Sequence, residues 1–205
     1  MRRRRLLALL AAAVLGGSAL ACSSSDGRGL PPPRVAQTTT TPSAPVIQPS
    51  AGSAEVFVLA SESFAEGSEI PIRFTCSGEG LSPALAWTGA PLDAASLALV
   101  VRDRNAGGFV HWVVTGIDPF VQAVGEGGLP ENAIEGLNGA GTVGWTGPCP
   151  PSGSGTHVYE FALLALADLV DLPLDAPAEE AATALEAAAV ERAVLTGTVT
   201  SDVGQ

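Results

Sequence analysis

The chain has two histidines, and each stands where a loop containing glycine gives way to an apolar segment. His111 lies in RDRNAGGFVHWVV (residues 102–114), and His157 opens HVYEFALLAL directly after PCPPSGSGT. An imidazole titrates near neutrality, and a nearby carboxylate such as Asp103 biases it toward the protonated, donating form. Tyr159 adds a hydroxyl, and the glycines of WTGPCPPSGSG let backbone amides approach a ligand. Two loops with one histidine at each mouth therefore suggest one shared site for an anion. Other chemistries fit less well. Ser152 and Ser154 lie near His157, but no nucleophile elbow accompanies them, so no catalytic residue is assigned and no enzyme activity is expected. His111, His157 and Asp103 are zinc-ligand types, yet nothing in their spacing demands a metal, and no metal or cofactor is expected.

Such residues need strands to hold them. Short apolar segments recur with turn residues between them: VFVLA, IPIRFTC, ALAWTG, SLALVVRD, FVHWVVTGI, HVYEFALLAL and AVLTGTVT. Most are too short for helices and several are β-branched or aromatic, while Gly and Pro punctuate the gaps. The pattern predicts a mainly β domain, most simply two packed sheets. On a strand Phe109, His111 and Val113 would share a face, as would His157, Tyr159 and Phe161. The exception is residues 176–194, rich in Ala, Glu and Leu with acids in the first turn, which predicts one helix before a last strand. The stretch GEGGLPENAIEGLNGAGTVGWTG is long for a loop without a use.

The N-terminus addresses the chain for export. MRRRR, an apolar run from Leu6 to Ala21 and a small-residue site before Cys22 have the order of a signal peptide over residues 1–21, and the run is short for a membrane span. Cys22 after SALA resembles the lipobox of bacterial lipoproteins, whose cysteine is lipidated, with Ala19 where leucine is usual. The mature chain would carry six Arg against 21 acids, a net charge of −15 with no lysine. That balance argues against nucleic acid and against an electrostatic hold on anionic lipid, so attachment to a membrane would be covalent, through acyl chains on Cys22. Residues 22–53 are rich in Ser, Thr and Pro and read as a tether spanning roughly 30 Å as a coil. Residues 54–205 are the size of one domain. Cys76 and Cys149 remain, and an even pair in an oxidising setting invites a disulfide, two buried thiols being the alternative.

With these pieces placed, the chain resembles the phosphatidylethanolamine-binding protein family, and within it the bacterial YbhB/YbcL branch, also called Raf kinase inhibitor-like. The residues that carry the resemblance are FAEGSEIPIRFTCSGEGLSPALAWTGAP, SLALVVRDRNAGGFVHWVV and GLNGAGTVGWTGPCPPSGSGTHVYEFALLAL, in that order. It implies a β-sandwich of two antiparallel sheets with a short helix near the C-terminus. It also implies a pocket at one end for a small anionic ligand, phosphate-like, carboxylate-like or a phospholipid head group. Carried over by position, the pocket would use Asp103, Ala106 and His111 from the first loop and strand, and Gly147, Pro148, His157 and Tyr159 from the second. The family's inhibitor members leave open a second class, a protein that acts on a protein partner outside the cytoplasm. Two departures stand out. The family's Asp-Pro-Asp-Ala-Pro reads Asp103, Arg104, Asn105, Ala106, Gly107 here, and its His-Arg-Tyr reads His157, Val158, Tyr159. The missing acid and the missing arginine read as a charge pair removed together, since losing one member of a buried pair is costly while losing both is near neutral.

Overall fold

The computed structural model describes residues 55–201; the expected signal peptide, Cys22 and the expected tether lie outside the described residues. Eight strands and one helix follow the order β1 (Val58–Ala60), β2 (Leu85–Thr88), β3 (Ser96–Asp103), β4 (Val110–Ile117), β5 (Ala123–Val124), β6 (Ile134–Glu135), β7 (Thr156–Leu166), α1 (Ala178–Ala188) and β8 (Ala189–Thr200). They form two antiparallel sheets, a small one in the order β1-β2-β5 and a large one in the order β6-β4-β3-β7-β8.

The residue pattern explains the layering. β3 reads SLALVVRD and is buried at every position, because both of its faces are covered. Leu97, Leu99 and Val101 face the small sheet, in one core with Trp87, Trp112, Phe161 and Leu163. Ala98 and Val100 face the other way, toward Ala181, Ala182 and Leu185 of α1. The same alternation ends β3 with Arg102 on the helix side and Asp103 on the sandwich side. β7 behaves likewise, and its register with β3 puts Asp103 opposite Tyr159. His157, Tyr159 and Phe161 share a face as expected.

Three expectations are corrected. The helix is shorter than residues 176–194, because Ala189 is already extended and residues 189–194 pair with β7 from Leu166 back to Ala162. The Ala- and Glu-rich composition favours a helix there, but long strand pairing outweighs that small propensity. IPIRFTC is not a strand. After Pro71 it makes a turn of 3-10 helix (Ile72–Phe74), and a Cβ at Gly78 would lie 2.1 Å from the Ile72 carbonyl oxygen, so the chain folds back tightly on itself.

The third correction concerns His111. Val110 pairs with Arg102 and Trp112 with Val101, so β4 advances two residues where β3 advances one, and His111 is the extra residue of a β-bulge. Val113 accordingly lies in the helix-side core with Val110, not on the face of Phe109 and His111. The bulge turns His111 out of the regular alternation and toward the pocket end.

Candidate functional site

The strand ends that meet at Asp103, His111 and His157 enclose a cavity of about 250 Å³. It is lined by Asp103, Ala106, Phe109, His111, Thr146, Gly147, Cys149, Pro151 and His157. Five of the seven residues expected at the site are therefore brought together: Asp103, Ala106, His111, Gly147 and His157. Pro148 and Tyr159 are not on this wall. The Pro148 carbonyl accepts from the Cys76 amide at 3.0 Å, and its ring borders a neighbouring groove with Thr75, Ser77 and Ser152. Tyr159 lies fully buried behind both histidines, its ring 5.2 Å from that of His111 and 6.4 Å from that of His157.

Each histidine is aimed by its Nδ1 atom. The Nδ1–H of His157 donates to Asp103 Oδ2 at 2.7 Å, and that of His111 donates to the Thr146 carbonyl at 2.7 Å. Among the described residues no hydrogen bond reaches either Nε2, so two imidazole edges remain for a ligand. Asp103 also anchors its own loop, its Oδ1 accepting from the amides of Asn105 and Ala106 at 2.8 and 3.1 Å. Burial alone would discourage ionisation of Asp103, but the His157 hydrogen bond, the Asn105 amide and the charge of His157 outweigh it and hold its pKa below the ordinary carboxylate value.

His111 behaves otherwise. Burial lowers its pKa below the ordinary imidazole value, against the opposing pull of the Thr146 carbonyl and of the Asp103 charge. The sequence-based expectation of a protonated imidazole beside Asp103 therefore does not hold for His111, which the structure leaves neutral near pH 7 with a lone pair on Nε2. The Tyr159 hydroxyl is pushed upward in pKa by burial, by the Asp103 charge and by its hydrogen-bonding approach to the Asp103 carboxylate, an approach that falls short of strict hydrogen-bond geometry.

The second loop is held by a disulfide. Cys76 and Cys149 are bridged, with Cα atoms 5.4 Å apart and a sequence separation of 73, a constraint worth about 4 kcal/mol on the chain-entropy model. Gly147 passes so close to the turn after Phe74 that an added Cβ would lie 2.9 Å from the Phe74 carbonyl oxygen. Glycine is thus needed for the close approach of two backbones, whatever its amide does for a ligand.

Sequence reasoning did not single out four walls of the cavity: Phe109, Thr146, Cys149 and Pro151. Phe109 was visible as a face-mate of His111, and its ring meets the imidazole edge-on at 4.9 Å. Thr146 acts through its backbone, its carbonyl accepting from His111 Nδ1 and its amide donating to the His111 carbonyl at 3.0 Å, which no residue type announces. Asn105 and Val158, the two departures from the family pattern, do touch: the Val158 amide donates to Asn105 Oδ1 at 2.8 Å. Neither Ser152 nor Ser154 lines the cavity, and among the described residues no hydroxyl is hydrogen-bonded to either histidine ring. Nor do the described residues gather three or more His, Cys, Asp or Glu side chains in a metal-binding cluster.

A two-sheet antiparallel sandwich with a covering helix and a two-histidine cavity at one end defines a class of small, mainly β domains. The phosphatidylethanolamine-binding protein model matches residues 60–200, and the chain belongs to that family, on its YbhB/YbcL-like branch. The Mycobacterium tuberculosis protein named "Putative lipoprotein LppC" is 43% identical over 150 residues, covering 72% of this chain and 74% of that one. A UPF0098 protein of Methanothermobacter thermautotrophicus is 40% identical over 146 residues, covering 68% and 95%. Among solved structures, Escherichia coli YbcL superposes with a TM-score of 0.66 at 27% identity, covering 72% of this chain and 99% of that one. The homologue CT736 of Chlamydia trachomatis gives 0.64 at 33%, covering 71% and 98%.

Proposed function

We propose that this chain is an exported, lipid-anchored binding protein, without catalytic activity, that takes a small anion in the cavity between its two histidine loops. A phosphate-like group or a phospholipid head group has the matching chemistry. The observation that carries the reading is the pair of imidazoles, each fixed through Nδ1 and each presenting an unpartnered Nε2 to one cavity of about 250 Å³. Lipid attachment at Cys22 is supported by the lipobox-like SALAC and by the lipoprotein name of the M. tuberculosis relative. It would hold the domain to a membrane from the extracytoplasmic side.

The test is a titration of the two histidine ring signals by NMR with phosphate, acetate and phosphoethanolamine in turn. Binding at one site moves both rings together and saturably, and His111→Gln abolishes the response. If neither ring moves with any of the three, the anion reading is wrong and the domain acts on a protein partner through other surfaces.

A further inference from the structure

The first binding loop, residues 103–109, contains Gly107 and Gly108, both with positive φ, and no proline. Something other than its own backbone stiffness has to fix it. Asp103 holds the front of the loop, and Asn105 ties its side to Val158. At the rear the Arg102 guanidinium, whose side chain is 8% exposed, gives Nη1 to the Gly108 carbonyl at 3.0 Å. The same guanidinium is gripped by two glutamates of α1, with Nη1 2.5 Å from Glu179 Oε2 and Nε 2.8 Å from Glu186 Oε1. These hydrogen bonds and charges outweigh the penalty of burial and raise the Arg102 pKa above its ordinary value.

We infer that Arg102 is the positioning residue of the site: it fastens the Gly107–Gly108 corner to helix α1 and so sets the Phe109 wall of the anion cavity. Gly108 is followed directly by Phe109, whose ring lies against the imidazole of His111 and covers Gly139, where a Cβ would fall 2.6 Å from Phe109 Cε2. A shift at Gly108 therefore moves a cavity wall, while the Nδ1 hydrogen bonds that aim His111 and His157 involve neither Gly108 nor Arg102. Arg102 itself does not line the cavity, so its influence runs only through the loop. This inference rests on the anion reading for its functional meaning, but not for its geometry.

The experiment compares the parent, Arg102→Met, and Arg102→Met with Glu186→Gln, in the full mature chain. The double variant removes the most buried carboxylate that the single one leaves unpaired. The probe is inorganic phosphate, read by the His111 and His157 ring signals, alongside amide exchange over residues 105–109 and thermal unfolding. Arg102→Met should weaken phosphate binding about two- to thirtyfold and speed exchange at Gly108 and Phe109. The double variant should recover stability but not affinity. A folded Arg102→Met with unchanged affinity and exchange overturns the inference, as does affinity returning in step with stability. If the parent ignores phosphate while Arg102→Met still shifts the Phe109 and His111 signals and loosens the corner, the positioning role stands and the anion reading fails.

Discussion

Anion binding at this site should consume a proton, and raising the pH should measure it. In the free protein His111 is neutral near pH 7, because burial lowers its pKa by more than the Thr146 carbonyl and the Asp103 charge raise it. An anion at Nε2 needs a proton there, so the bound state has the higher pKa. The sign follows: affinity is complete below the free-state pKa and is lost as pH rises above it. Each pH unit above that value costs a factor of ten, or about 1.4 kcal/mol. The free value lies below the ordinary 6.5, so the whole range from pH 6.5 to 8.5 should cost sulfate about a hundredfold in affinity. Sulfate is the right probe because its own charge is constant there. The groups facing the ring are Asp103, Thr146, Phe109, Trp145 and Tyr159, of which Asp103 alone changes charge in acid, well below this window. Calorimetry in two buffers of different ionisation enthalpy should show uptake approaching one proton from this ring. His111→Gln separates its contribution from that of His157. A flat profile from pH 6.5 to 8.5, with a binding heat independent of buffer, would refute the assignment of Nε2 as the anion contact.

Three further outcomes follow from the same geometry. Gly147→Ala should destabilise the domain by about 1–3 kcal/mol, because its Cβ meets the Phe74 and Thr75 backbone, and a denaturant midpoint equal to the parent's would contradict that crowding. Tyr159→Phe removes a buried hydroxyl that faces the Asp103 carboxylate outside strict hydrogen-bond geometry, so its melting temperature should stay near the parent's, and a loss of more than about 1 kcal/mol would mean the two groups are bonded in solution. Asn105→Asp with Val158→Arg should show a favourable coupling energy of at least about 0.5 kcal/mol in a double-mutant cycle, since the two positions touch; additive effects would refute the charge-pair reading.

How much of this was legible beforehand depends on the range of the forces involved. β7 and β3 were plain in the sequence because alternation and β-branched runs are local. Residues 189–194 were not, because Ala, Val, Glu, Arg, Ala and Val suit a helix until eleven residue pairs with β7 decide for a strand. Ile72 and Phe74 alternate like a strand, and only the fold-back at Pro71 and Gly78 turns them. At the site, Asp103, His111 and His157 carry recognisable chemistry, and family motifs placed them. The Thr146 carbonyl and the Cys149 wall depend on which loop lies over which, and the bulge that aims His111 is a mismatch between two strands that neither strand reveals alone. Arg102 was hidden for a related reason. Its partners lie 77 and 84 residues away, on a helix that the sequence predicts without showing which strand it covers.

The Cys76–Cys149 bridge gives the site a date of completion. Cys149 is both a wall of the cavity and one end of the link that keeps residues 146–149 against residues 74–76. A chain in a cytosol that keeps thiols reduced lacks that link, and its second loop keeps the hydrogen bonds from the Cys76 amide to Pro148 and between His111 and Thr146 but not the covalent constraint. On the anion reading and the export route proposed above, the newly made protein would pass among the phosphorylated metabolites of the cell with its cavity unfinished, and oxidation would close the bridge only after departure, in the compartment where the site would be used.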